Sequence, residues 1–358
     1  MSDQATNALV ATALGLVLAV LLLIPTAAVQ YRLDGRLGPR DLAVLVGAAV
    51  YAFAIWTYTL LPLPAEDSYT CLGAQTRLFG TIGEIRLPPG GGPLALLRDP
   101  ALLQVVLNVL LFVPLGWFVR VVARRGVVVA TVGGAAVSLL VELTQRTGVW
   151  GLYDCAYRLF DVDDLLVNTL GATIGSLLSL LVVRRRRGAV VLPTAVTLGR
   201  RLVAMVCDVV FVALAGAAAV LAWRGYELYV REVPVDRGVQ AALQWGVPLG
   251  LEALLVLTRG VTVGELTADL RTVARRPALV LPGRVVKLVT GVGSLGLLAV
   301  PPYGVAVLAA WAVVSVLVAW RSRGHRGLAN ALGGLDLEVD VERGVRRGAA
   351  GSPAGRDA

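Results

Sequence analysis

The amino-acid sequence predicts an all-α fold: a polytopic helical membrane protein with about nine transmembrane helices, N-terminus outside and C-terminus cytoplasmic. Three observations carry this reading. Hydrophobic residues fill 57% of 358 positions and charged residues only 16%, which excludes an ordinary soluble domain. The apolar residues are gathered into long uncharged runs, and about 20 such residues cross the hydrocarbon core as a helix. Basic residues bracket these runs in alternate loops, as spanning helices require. In lipid the backbone must satisfy its own hydrogen bonds, which leaves helices or closed barrels. Barrel strands alternate in polarity over about ten residues, and these runs do not.

The first run, Ala8 to Val29, is too long for a removed signal peptide and lacks a basic start or cleavage site. The others are Leu42–Leu63, Ala101–Val122, Val127–Gln145, Leu165–Val183, Leu202–Trp223, Val239–Leu257, Val285–Val300 and Tyr303–Trp320. The eighth is short, and Pro301-Pro302 breaks the chain before the ninth. A re-entrant pair there would lower the count to eight or seven. With the N-terminus outside, 25 of the 33 basic residues face the cytoplasm and 8 face out. The net charge of +9 is thereby explained by topology and by anionic lipid on the cytoplasmic side, not by nucleic acid. Arg184-Arg185-Arg186-Arg187 belongs to this pattern.

That basic stretch, with Gly188 and Pro193, divides the chain into a five-span domain (1–190) and a three- or four-span domain (191–342). A Gly/Ala/Arg-rich cytoplasmic tail (343–358) reads as disordered. The loop Pro64 to Pro100, with Pro88-Pro89 and Gly90-Gly91-Gly92, reads as an irregular extracytoplasmic connection. Cys71 and Cys155 both fall in outer loops, where oxidation is permitted. A disulfide between them is one reading, and two unrelated thiols are the other. Cys207, inside a span, is a small packing residue.

Polar side chains inside spans are costly and mark bundle interiors or cavities. In the first domain they gather at one depth. Asn108 lies about 10 Å into the third span, Glu142 and Gln145 end the fourth, and Asp161, Asp163, Asp164 and Asn168 open the fifth. Asp161, Asp164, Asn168, Gly171 and Gly175 share one helical face, as do Gly134, Ser138 and Glu142. Small residues allow close helix approach, leaving a carboxylate–amide pocket above, beside a third span bent at Pro114. Arg158 and Arg146 are the expected partners of the acids. The plainer alternative makes Asp161 an N-cap, Asp163 and Asp164 dipole-favoured first-turn acids, and the asparagines cross-helix glue.

The strings Asn108-Val-Leu-Leu-Phe112-Val-Pro114-Leu-Gly116, Glu142-Leu-Thr-Gln145 and Arg158-Leu-Phe-Asp161-Val-Asp163-Asp164-Leu-Leu-Val-Asn168-Thr-Leu-Gly171 resemble the VanZ-like family over about residues 42–183. The resemblance implies a bacterial envelope role, since the founding member is associated with low-level resistance to teicoplanin. It does not imply a particular biochemical activity. Asn108, Glu142, Gln145, Arg158, Asp161, Asp164 and Asn168 carry the family's polar pattern and are the candidate ligand-binding residues. A cell-wall precursor or other lipid-linked molecule is the ligand class expected there.

The second domain holds charges near its inner face. Arg201 and Asp208 lie seven residues apart on one helical face, Glu252 in the inner half of the seventh span, and Lys287 at the inner end of the eighth. Buried charges need compensation, so these four form an expected cluster, either a salt-bridge staple or an ion or proton path. Arg201-Leu-Val-Ala204-Met-Val-Cys-Asp208, Thr262-Val-Gly264-Glu-Leu-Thr-Ala-Asp-Leu-Arg271-Thr-Val and His325-Arg326-Gly327-Leu328-Ala329-Asn330 resemble the RDD family over about residues 199–340. Glu265 stands where that family commonly has lysine, and Asn330 where it usually has aspartate. The resemblance implies a transport-related role.

Three functions follow as expectations: an envelope protein modulating glycopeptide sensitivity, a transporter or ion-coupled permease, and an intramembrane acid/base enzyme. The third is disfavoured because no nucleophile arrangement is present and the one histidine, His325, is cytoplasmic. No cofactor is implied, no catalytic residue is singled out, and a metal is left undetermined.

Overall fold

Nine helices among the described residues are long and apolar enough to cross a membrane, so the chain is a multi-pass integral membrane protein. The computed structural model describes residues 3–64, 69–86, 97–182, 193–299 and 303–340. The Pro/Gly run at 88–92, the four arginines at 184–187, the Pro301-Pro302 break and the tail at 343–358 lie outside them.

In chain order the elements begin with α1 (Asp3–Asp34), α2 (Pro39–Leu60), β1 (Ala74–Gln75), α3 (Pro100–Val121), α4 (Val127–Arg146) and the single turn α5 (Gly148–Gly151). Next come β2 (Phe160–Asp161), α6 (Val162–Val182), α7 (Leu198–Tyr226), α8 (Arg237–Arg259), the short α9 (Val263–Thr267) and β3 (Leu270–Ala274). The chain continues with α10 (Val280–Thr290), α11 (Gly304–Arg321), α12 (Gly327–Leu332) and β4 (Leu335–Val339). The eighth span, a short run by sequence, reaches 22 residues (Pro277–Leu298) because 3-10 turns extend α10 at both ends. Lipid-facing positions stay apolar: Val128 and Leu181 are 76% and 81% exposed, which only hydrocarbon can cover at no cost.

The chain divides into two compact units, Met1–Leu18 with Val46–Gly188, and Ala19–Leu45 with Ala189–Ala358. In the first, α3 and α4 both pack on α6. Glycine makes this possible. A Cβ on Gly116 would overlap the Ala172 carbonyl, and one on Gly175 the Val113 carbonyl, so the α3 and α6 backbones touch directly. Near Pro114 the Tyr51 hydroxyl donates to the Leu111 carbonyl at 2.5 Å. Beyond the helix ends, Cys71 and Cys155 form a disulfide with Cα atoms 5.5 Å apart. Beside it β1 pairs in parallel with β2, Gln75 opposite Asp161. A disulfide belongs to an oxidising compartment, which agrees with the arginine distribution in placing these loops outside.

In the second unit α7 packs on α8 and α9, while α12 packs on α10 and α11. Ala27, Tyr31, Ala204, Cys207, Ala268 and Leu270 form one buried cluster. The antiparallel β3–β4 pair carries exposed ion pairs, Arg271–Glu338 at 2.8 Å and Arg275–Asp336 at 3.3 Å, a kind worth little in solvent.

Two outcomes test this architecture. Gly116→Leu should destabilise the purified protein by about 1–3 kcal/mol through overpacking, read as a lower Tm in detergent. Gly133→Leu should not, because nothing lies within 4 Å of a Cβ there. In intact cells a membrane-impermeant maleimide should label Cys71 and Cys155 only after reduction by an impermeant reductant; labelling confined to broken cells would reverse the orientation.

Candidate functional site

Polar side chains of the first unit meet where α4 ends and α6 begins. Asp161, just before α6, caps it: Oδ1 accepts the Asp163 N–H at 2.8 Å. Its other bonds reach the outer loop, with Gln75 Nε2 donating at 3.3 Å and the Thr81 hydroxyl at 2.5 Å. Asp163 accepts three backbone N–H bonds, from Phe79 (2.7 Å), Thr81 (2.9 Å) and Ile82 (3.2 Å). These two acids therefore fold the outer loop onto the helix start.

Glu142, buried, accepts the Asp161 N–H at 3.1 Å through Oε2. Asp164 accepts Asn108 Nδ2 at 2.6 Å and Gln104 Nε2 at 3.4 Å, both on Oδ1. One turn below, Asn168 Nδ2 donates to Ser138 Oγ at 2.9 Å, while its buried carbonyl oxygen has no partner. Five of the seven candidate residues are thus joined across α3, α4 and α6.

Gln145 and Arg158 do something else. Gln145 Nε2 donates to the Thr59 carbonyl (2.9 Å), the Tyr157 hydroxyl to that of Leu60 (3.0 Å), and Arg158 to that of Leu61 (3.1 Å). The last carbonyls of α2 have no intrahelical donor, and a cation at a helix C-terminus is favourable. This corrects the expectation that Arg158 pairs with the acids. Among the described residues no basic side chain is bonded to Glu142, Asp161, Asp163 or Asp164.

The second unit's charges converge on the N-terminus of α9. Thr262 and Glu265 form a reciprocal capping box. The Val263 N–H donates to Glu252 at 3.2 Å and the Gly264 N–H to Asp208 at 2.5 Å. Asp208 also accepts the Thr262 hydroxyl at 3.0 Å. Every N–H that a helix start leaves open is therefore met by a carboxylate or hydroxyl. Gly264 is required, because a Cβ would strike the Ala204 carbonyl.

Glu265, fully buried, holds the cations. It pairs with Arg201 at 2.7 Å and with Lys287, and it accepts Asn330 Nδ2 at 3.1 Å. Lys287 also donates to the Gly260 carbonyl (2.7 Å) and to Thr272 (2.8 Å). Burial alone would raise the Glu265 carboxyl, but Lys287 and Arg201 outweigh it and hold it down at about 2. A cavity of about 120 Å3 opens beside Arg201, Asp208, Glu265 and Lys287, walled by Leu308 and Trp311. Arg201, Asp208, Glu252 and Lys287 are thus drawn to one centre, and its hub, Glu265, was absent from the expected cluster. Its sequence signal was the Thr262-x-x-Glu265 capping pattern. Among the described residues no group of three or more His, Cys, Asp or Glu side chains could hold a metal ion.

Because Glu265 sits below its ordinary 4.5 in the folded protein, its stabilisation is complete above that value and fades as pH falls towards 2. Acidification below about pH 5 should lower the Tm of the parent more steeply than that of Glu265→Gln. Equal slopes would refute the assignment. Lys287→Met, leaving part of the charge on Glu265 unanswered, should destabilise by about 3–5 kcal/mol, read by denaturation in detergent.

No curated protein and no solved structure matches the chain. A family model described as VanZ/LLP1 matches residues 48–183 and stops before α7 begins at Leu198. The segment carrying Asn108, Glu142, Gln145, Arg158, Asp161, Asp164 and Asn168 is therefore similar to the VanZ/LLP1 family.

Proposed function

We propose that this VanZ-like protein works in the cell envelope, modulating sensitivity to glycopeptides of the teicoplanin type. On this reading the outer polar site of the first unit binds a cell-wall precursor or other lipid-linked molecule. One observation carries it: Glu142 and Asp164 meet at a helix junction with N–H donors alone and no bonded cation among the described residues. Two carboxylates so placed favour a ligand rich in hydroxyl, amide or amine donors. The unpartnered Asn168 oxygen adds an acceptor one turn below. The similarity of residues 48–183 to the VanZ/LLP1 family supports the envelope setting.

Glu142→Gln or Asp164→Asn should abolish complementation of a deletion strain's teicoplanin phenotype while leaving protein levels in the membrane unchanged. Retention of the full phenotype by both variants would remove the basis for this reading.

A second reading, a transporter or ion-coupled permease, is favoured by the second unit. Two carboxylates there (Asp208, Glu265) face two cations (Arg201, Lys287) around a cavity, with Glu252 bonded to the Val263 N–H beside them. The RDD-like strings lie in the same place, and the two departures from that pattern, Glu265 and Asn330, are hydrogen-bonded to each other. Asp208→Asn should alter ion flux in vesicles loaded with the purified protein; absence of flux in the parent would eliminate this alternative.

A further inference from the structure

The first two turns of α8 carry a polar stripe whose side chains make no hydrogen bond or ion pair among the described residues, although Gln244 packs against Gly216 of α7. Arg237, Gln240 and Gln244 recur at three- and four-residue spacing and share one helical face. With Arg224 and Val220 of α7, and with Ala241 and Trp245, they line a cleft of about 430 Å3. That volume lies within the roughly 300–1,000 Å3 of small-molecule sites. No hydrogen bond or ion pair joins any of the four polar side chains to another described residue. Two nearby acids are engaged elsewhere. Asp236 caps α8 by accepting the Gly238 and Val239 N–H groups at 2.7 and 3.1 Å, and the buried Glu227 accepts the Asp236 N–H at 2.9 Å.

We infer that the α7–α8 cleft binds the phosphate-bearing headgroup of an anionic membrane lipid. Two guanidinium forks match phosphate oxygens in pairs, and two amides add neutral donors. Depth decides the source of the phosphate. Arg237 is the first residue of α8, and Gln244 lies seven residues on, about 10 Å deeper. That interval covers the headgroup and carbonyl layers, where the amphipathic Trp245 ring is also at home. Below the arginines, Val220 and Ala241 offer apolar wall where acyl chains begin. A lipid reaches such a site sideways with its phosphate already at the right level. The site lies in the second unit and stands independently of the reading proposed for the first.

The experiment is native mass spectrometry of the purified full chain in detergent, titrated with short-chain phosphatidylglycerol, with phosphatidylcholine, and with inorganic phosphate. The parent should retain phosphatidylglycerol at least about tenfold more tightly than phosphatidylcholine, and phosphate should compete poorly. Arg224→Gln with Arg237→Gln should lose that preference. Arg271→Gln with Arg275→Gln, which removes the same charge from the β3–β4 pair, should keep it. Should the cleft variant fail to fold, Gln244→Leu keeps the bulk, removes a donor, and should weaken retention in the same direction. Unchanged selectivity in the cleft variants, equal retention of both lipids, or binding of phosphate as tight as that of lipid would each overturn the proposal.

Discussion

A polar group left without a partner in hydrocarbon costs several kcal/mol, and this cost organises both units. Helix interiors satisfy themselves, so the debt falls on helix ends, which leave their first N–H and last C=O groups open. Many of the buried polar side chains described above answer such a group. Gln145, Tyr157 and Arg158 meet the last carbonyls of α2. Glu252, Asp208 and Glu265 meet the first N–H groups of α9. Asp163 gathers three N–H groups from a loop that makes no helix long enough to hold them. Charge placement in this protein follows where chains turn.

The spans were legible because hydrocarbon imposes a long, unambiguous pattern. Nine runs of apolar residues in sequence became nine helices among the described residues. Gly171 and Gly175 also announced a close approach, though the backbone they meet belongs to α3 and not to α4. What escaped sequence reading lies in short segments. A five-residue helix such as α9 has no periodicity to detect, so Glu265 stood out only as a departure from a resemblance. Its partners, Arg201, Lys287 and Asn330, lie 64, 22 and 65 residues away, beyond any local rule. Arg158 was misjudged for a related reason: charge suggests an acid as partner, but it is bonded to the Leu61 carbonyl just past the end of α2. The pairing of Cys71 with Cys155 stayed open in sequence because loop geometry decides it.

The two charged sites differ in how fully they are balanced. Around Glu265 two cations, one amide and a helix start converge, an arrangement that locks geometry. Such buried ion pairs gain little over apolar packing but are costly to break. The cluster therefore fixes α7, α8, α9 and α10 against one another whatever else it does. Its excess acid charge, at Asp208 and Glu252, is met by backbone N–H groups.

In the first unit the acids separate by the bonds they already hold. Asp163 has both oxygens occupied by backbone donors, and Asp161 has both occupied by the loop and its own helix. These two are committed to structure. Asp164 uses a single oxygen for its two amides, and Glu142 a single oxygen for one N–H. Capacity to accept further hydrogen bonds is therefore concentrated on Glu142 and Asp164. Loop and disulfide hold the surrounding frame while leaving those oxygens unfilled. A ligand at this site would bind through these two residues, and the neighbouring acids would serve it only by keeping them in place.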